Sequence, residues 1–422
     1  MKFGRALASF SCFGGFISVL VGIYYYYNGH QLELSTRSKN NGSRYSFIKL
    51  QWKIDPENPH HMTEYLATLE YPVVITGPSP FSSHKAMEWS FDGLAKDLHK
   101  ILSCKYSHQP VFTYHAPRQP LNNVPEFSLK EPYQVVGISP MEFFRSIKTS
   151  KSDNFFYASG GIELLDLPLS FEDLSNITFP PHKSPSQVNY WFGGSRVTAY
   201  THYDTSHNLH VVIRGHKRFL LSPPKYHSRL YPCLHSLYRQ LQVDIEEPQI
   251  TLDVYPGEVL YLPPYWFHSV ITMEPSLSLN IWSDSNDYLL MEEVLNSPIP
   301  FETDWGLEEL MRSSKYYIDV LIKELKLSPS FVRTSVLSRY QSLLLNISSF
   351  DNYGLIVKTY CQPSSFTHAI HDRVSKTSSI FLKMLSPNVM QINVANYIEH
   401  IGFTILREEH VIQLPFFLKE CF

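Results

Sequence analysis

A chain of 422 residues with 36 Lys and Arg against 39 Asp and Glu carries a formal net charge of −3, which leaves no basic surplus for gripping a nucleic-acid backbone. Hydrophobic residues make up 43% and aromatics 14%, enough to fill a sizeable core and to exclude global disorder. The length has room for one large domain or two ordinary ones. Its 29 Pro and its aromatic richness favour strands and turns over an all-helical body.

Ala6 to Tyr27 is an uncharged, mostly apolar run preceded by Lys2 and Arg5. At about 1.5 Å per residue a helix of that length spans a bilayer core. It exceeds the apolar stretch of a cleaved signal peptide and ends in Tyr24 to Tyr27, which suit a membrane interface. Residues 1–30 are therefore expected to form a single-pass transmembrane anchor, with a cleaved signal as the alternative. Lys2 and Arg5 favour a cytoplasmic N-terminus, although Arg37, Lys39 and Arg44 charge the other flank. Glycosylation patterns begin at Asn41, Asn176 and Asn346, and the expectation is a lumenal body in the endoplasmic reticulum or secretory pathway. Residues 31–58 are polar and read as a linker.

From Pro59 a short helix opens the folded body. Glu70 to Pro78 reads as a buried strand leaving on a turn, and Phe91 to Leu102 has helical spacing. Val111 to His115 is a further strand candidate. Pro117 to Pro132 is a Pro-rich loop and a lid candidate. Met141 to Lys148 reads as a helix, and Tyr157 follows in Phe155 to Gly161. Tyr226 to Glu247 is expected to be a polar insertion. The five cysteines include no Cys-x-x-Cys pair, so a zinc knuckle is not indicated, and disulfides and buried thiols stay equally open.

The chemistry concentrates between Tyr190 and Ser283. Alternate side chains of an extended strand share a face, so His202 and Asp204 are expected to project together. His268, from a distant aromatic-flanked strand, would complete two imidazoles and a carboxylate, a set that leaves positions open on an octahedral ion. Asn208 to Leu221 reads as two apolar strands joined by a tight turn at Gly215. Ser276 to Trp282 alternates polar and apolar residues, as a wall with one polar face does.

On these residues the stretch resembles the JmjC/cupin-8 family of Fe(II)- and 2-oxoglutarate-dependent oxygenases, above all the branch of the factor-inhibiting-HIF asparaginyl hydroxylase. The likeness is close over the core stretch and extends in outline from 70 to 285. It implies a mainly β, double-stranded β-helix (jelly-roll) core at 59–284 with flanking helices. Position by position, His202, Asp204 and His268 match the iron ligands. Lys217 matches the lysine that pairs with the distal carboxylate of 2-oxoglutarate, Asn208 and Asn280 the amides near its metal-binding end, and Tyr157 a tyrosine at the distal carboxylate. Relatives often carry Thr three residues before the first iron-binding His. Here that residue is Ala199, and Thr198 or Thr201 is expected to stand in.

Beyond Asp284 the pattern turns helical. Tyr288 to Leu295, Trp305 to Leu327, Phe331 to Leu345 and Val394 to Ile401 have apolar residues at three- and four-residue spacing. Residues 285–422 are expected to be a helical region packed on the barrel or used for homodimerisation. The resemblance implies hydroxylation of a side chain on a protein or peptide substrate, with Fe(II), O2 and 2-oxoglutarate, the last decarboxylated to succinate. Two alternatives stay open. One is a cupin metalloenzyme that does not use 2-oxoglutarate, against which Lys217 and the Asn pair argue. The other is a membrane-anchored interaction protein without turnover, for which Ala199 leaves room.

Overall fold

The computed structural model describes residues 26–422 except 28–29, 32, 38–44, 53–54, 56, 114–131, 150–152, 231–240, 242–244, 300, 302–303, 342–343, 345–360, 362–367 and 411–412. The strands are β1 (Tyr26–Tyr27), β2 (His30–Gln31), β3 (Glu33–Arg37), β4 (Tyr45–Gln51), β5 (Val73–Thr76), β6 (Leu102–Ser107), β7 (Val111–Phe112), β8 (Gln134–Ile138), β9 (Phe155–Gly161), β10 (Gln187–Gly193), β11 (Thr198–His202), β12 (His207–Arg214), β13 (Lys217–Ser222), β14 (Ile250–Val254), β15 (Val259–Leu262), β16 (Phe267–Thr272) and β17 (Ser276–Ser283). Apart from the β1–β2 hairpin they form two sheets. Ten strands lie in the order β3-β4-β5-β15-β12-β17-β10-β9-β6-β8 and five in the order β14-β13-β16-β11-β7. This is a mainly β jelly roll with flanking helices, as expected.

Period-two patterning decides what each face of the larger sheet does. Along β12, Leu209, Val211 and Ile213 point into the main apolar core, and β10 sends Val188, Tyr190 and Phe192 there, β17 Leu277, Leu279 and Ile281. The intervening Asn208, His210, Trp191, Asn280 and Trp282 face the opposite way, into a cavity between the sheets. The outer face is covered by helices α1 (His61–Ala67), α2 (Phe91–Asp97) and α3 (Pro140–Lys148), with the short α4 (Glu172–Ser175) nearby. In α3, Pro140 occupies the first turn and Ser139 Oγ accepts from the Glu142 amide at 3.3 Å, which fixes where the helix starts. Its Phe143, Phe144 and Ile147 then lie on one stripe in that core, each such burial stabilising by about 2–3 kcal/mol.

The expected helix over Phe91 to Leu102 is shorter than its spacing suggests: α2 ends at Asp97 and Leu102 already opens β6. The 31–58 stretch is not a free linker. Its β3 and β4 join the edge of the larger sheet, β4 running parallel to β5 with Ile48 opposite Val73. The apolar run expected to cross a membrane lies outside the described residues up to position 25. Its last two residues, Tyr26 and Tyr27, form β1 rather than helix, paired with His30–Gln31. Among the described residues no helix is long and apolar enough to cross a membrane. The 117–132 lid candidate lies almost wholly outside the described residues.

Helices follow the last strand: α5 (Asn286–Leu295), α6 (Leu307–Glu324), α7 (His368–Phe381), α8 (Pro387–His410) and α9 (Leu414–Cys421). They share a core of their own around Met311, Tyr317, Leu321, Phe381, Ile398 and Phe417. Phe331 to Leu345, expected to be one helix, contains short π and 3-10 turns over Val332–Tyr340. A Cys361–Cys421 disulfide ties α9 to the segment ahead of α7, and Cys104 is a buried free thiol.

Candidate metal and cosubstrate site

The cavity between the sheets holds about 360 Å³ and takes residues from both. Three potential metal donors meet on its wall. His202 closes β11, Asp204 lies just beyond it, and His268 faces His202 across the β11–β16 ladder. One donor atom from each lies within 4.8 Å of the other two. Metal bonds of about 2.1 Å put paired donors at most about 4 Å apart, so a small contraction closes the set on one ion.

The backbone fixes both imidazoles. His202 Nδ1–H donates to the Tyr200 carbonyl at 2.6 Å and His268 Nδ1–H to the Trp266 carbonyl at 2.9 Å. A carbonyl only accepts, so Nδ1 carries a proton in each ring and Nε2 is the nitrogen left to face a metal. His268 Nε2 lies 3.6 Å from Asp204 Oδ2. Asp204 is held by its own carbonyl, which accepts from the Tyr265 amide at 2.7 Å. A relay of side chains also reaches its carboxylate. Trp191 Nε1 donates to Asn280 Oδ1 at 2.8 Å, Asn280 Nδ2 to Asn208 Oδ1 at 3.1 Å, and Asn208 Nδ2 to Asp204 Oδ2 at 3.5 Å. Two imidazoles, one carboxylate and an outer layer of oriented amides suit a divalent ion such as Fe(II).

Lys217 opens β13, lines the same cavity and is 2% exposed. Burial pushes its ammonium down to about 7. No carboxylate pairs with it among the described residues. Tyr157 is buried opposite Gly193, its ring stacked on Trp191 at 6.1 Å. Burial and then the Asp204 charge raise its hydroxyl well above the ordinary phenol value.

Sequence reading had offered Thr198 or Thr201 in place of Ala199, and neither lines the cavity. Thr198 Oγ1 donates to the Arg196 carbonyl at 3.0 Å, and Thr201 is buried elsewhere. Ala199 itself faces the cavity together with His202. Strict alternation forbids that pair. A bulge in the β11–β16 ladder between Ala199 and His202 adds the residue that turns both inward.

Three cavity residues escaped the sequence reading. Trp191 anchors the amide relay. His210 is 6% exposed, its Nε2 has no hydrogen-bond partner among the described residues, and its ring meets Phe219 edge-on at 5.2 Å. Burial first, then the neighbouring Lys217 and His268, hold it far below the ordinary imidazole value, so it is neutral. Its position two residues after Asn208 was the available signal, since both must share a face of β12. Lys105, opposite Tyr157 on β6, has its ammonium 5.3 Å from the Tyr133 ring.

Residues 59–288, more than half of the chain, match the model of the cupin-like domain family. The chain belongs to that family. This cupin-like protein is 29% identical over 144 residues to the lysine-specific demethylase JMJ31 of Arabidopsis thaliana, a match covering 30% of this chain and 26% of the relative. It is 32% identical over 135 residues to the human bifunctional peptidase and (3S)-lysyl hydroxylase JMJD7, covering 24% and 43%. The chain thus spans less than half the length of either relative. The X-ray structure of E. coli ycfD aligns with 69% of this chain and 68% of its own, at 14% identity and a TM-score of 0.31.

Proposed function

We propose that this cupin-like protein is an Fe(II)- and 2-oxoglutarate-dependent oxygenase that hydroxylates a protein side chain. The observation that carries the reading is Lys217, a buried ammonium with no carboxylate partner among the described residues, in the cavity that also holds the two imidazoles and the carboxylate. An isolated charge in such a place is costly, and the far carboxylate of a keto-diacid held at the metal would neutralise it. In this reading His202, Asp204 and His268 hold Fe(II). Lys217 and Tyr157 bind the distal carboxylate, and Asn208 and Asn280 orient the end near the metal. This residue set also supports the finer placement beside the factor-inhibiting-HIF branch. Iron held there would supply the oxidative chemistry, in which O2, 2-oxoglutarate and a substrate C–H bond would give succinate, CO2 and the hydroxylated product.

The chain's own part is positional. Phe112, Tyr157, Trp191 and Trp282 wall the cavity against water, and the Trp191–Asn280–Asn208 relay holds the carboxylate of Asp204 in place. Side-chain hydroxylation is supported by the relatives, whose names make one a lysine demethylase and the other a lysyl hydroxylase. The test is succinate release from 2-oxoglutarate with Fe(II), alongside mass spectrometry for the gain of one oxygen atom on candidate proteins. His202→Ala is expected to abolish release, and Lys217→Met to raise the KM for 2-oxoglutarate by about 100-fold, the cost of stranding a buried charge. Equal release by wild type and His202→Ala removes the oxygenase reading and leaves a non-catalytic one.

We further propose the membrane placement: the apolar run within residues 1–30 as a single-pass anchor, with a cleaved signal as the alternative, and the catalytic body in the lumen of the secretory pathway. The Cys361–Cys421 disulfide supports an oxidising compartment, and Asn176 is an exposed glycosylation candidate. Glycosidase-sensitive mobility lost in Asn176→Gln, with protection from trypsin in sealed microsomes, would support it. Digestion without detergent would reverse it. Homodimerisation through the helices of 285–422 completes the proposal, and sedimentation of the purified chain as a monomer would remove it.

A further inference from the structure

The donor residues are bolted to the C-terminal helices through the side chains beside them. Tyr203 lies between His202 and Asp204, is 2% exposed, and turns away from them into a cluster with Tyr265, Phe267, Val389 and Ile392. Phe267 directly precedes His268 and meets the Tyr203 ring edge-on at 5.5 Å, while Tyr265 stacks on it at 5.3 Å. Val389 and Ile392 come from α8. The same helix supplies two amides: Asn396 Nδ2 donates to the Tyr203 hydroxyl at 3.1 Å, and the Tyr265 hydroxyl donates to Asn393 Oδ1 at 3.3 Å.

A buried charge network stands behind Asn396. Its Oδ1 accepts from the Arg339 guanidinium at 2.9 Å, Arg339 pairs with Glu399, and the Tyr340 hydroxyl donates to Glu399 at 2.7 Å. Arg339 and Glu399 are 1% and 0% exposed. Such a pair holds its geometry because any displacement strands a charge. Tyr265 has φ +66°, a conformation a bulky residue keeps only where its surroundings enforce it. Its amide holds the Asp204 carbonyl, so α8 reaches the carboxylate donor by a second route.

We propose that α8 sets the metal affinity of the site, with Asn396 and Asn393 as positioning residues that act through Tyr203 and Tyr265. The inference rests on the reading that His202, Asp204 and His268 hold a divalent metal. It makes the C-terminal helical region part of the metal site although none of that region's described residues lines the cavity. Outer partners of this kind typically change metal affinity by about 10–100-fold when removed.

Co(II) binding to the full chain, by calorimetry and by the visible absorption of the bound ion, tests it. Wild type is expected to bind one Co(II) and His202→Ala to lose it. Wild type without binding, or His202→Ala with binding unchanged, overturns the metal reading and the inference with it. Tyr203→Phe removes only a hydroxyl and Asn396→Ala the amide. Both are expected to weaken Co(II) binding by about 10-fold or more and to alter its absorption spectrum. Tyr317→Phe is the structural control. It breaks an equally buried hydroxyl pair with Tyr397 at 3.0 Å in the helical core and is expected to lower thermal stability with Co(II) affinity unchanged. Wild-type affinity and spectrum in both Tyr203→Phe and Asn396→Ala, or an equal loss in Tyr317→Phe, overturns the inference.

Discussion

Lys217 shows how one side chain can set conflicting demands on stability and on binding. Its folded-state value is about 7 against an ordinary 10.5, so between those limits the unfolded chain holds the proton that the folded chain has lost. Stability of the ligand-free protein therefore rises with pH across that window, and at pH 7 the buried ammonium costs of order 4 kcal/mol. Lys217→Met is expected to raise the urea midpoint of the ligand-free protein near pH 7 and to flatten its rise towards pH 10. It should at the same time weaken 2-oxoglutarate binding by about 100-fold. Binding to the native protein near pH 8.5 should take up about one proton, because the dicarboxylate restores the ammonium; calorimetry in buffers of different ionisation enthalpy checks it. Lys217 was legible only through the family resemblance, which matches it at its place fifteen residues after His202. His210 was missed, although its place two residues after Asn208 puts both on one face of β12.

The walls of the cavity were legible wherever period two holds without interruption. Ser276 to Trp282 announces its polar face, and the Asn208, His210 and Val212 face of β12 follows from the same rule. Reading failed where the rule is broken by one residue. The bulge in β11 follows from the ladder with β16, some seventy residues away, and no local pattern encodes it. The parallel pairing of β4 with β5 was missed for the same reason, since a short strand among polar neighbours declares no distant partner. The turn between β12 and β13 was read correctly because it needs glycine. Gly215 has φ +72°, and a Cβ there would lie 2.2 Å from the Pro275 carbonyl oxygen. Gly215→Ala is expected to destabilise the protein by about 2 kcal/mol or more. It should weaken 2-oxoglutarate binding beyond that loss, because Lys217 starts the strand the turn delivers; denaturant unfolding and binding titration measure the two effects.

At the scale of the molecule, the jelly roll and the helical region each have their own apolar core, and the disulfide closes a loop of 60 residues within the helical one. Cys421→Ser is expected to cost about 2–4 kcal/mol, seen as a lower melting temperature that wild type matches only under reducing conditions. The N-terminal edge of the larger sheet has a consequence of another kind. A bilayer segment ahead of β1, as proposed, would be followed by the β1–β2 hairpin and then by β3, hydrogen-bonded to β4 at the edge of the larger sheet. Such a connection would be short, so the jelly roll would lie close to the lipid headgroups. The substrates of the proposed oxygenase would then be chains presented near the surface, and a spacer inserted ahead of β3 would widen the range of targets within reach.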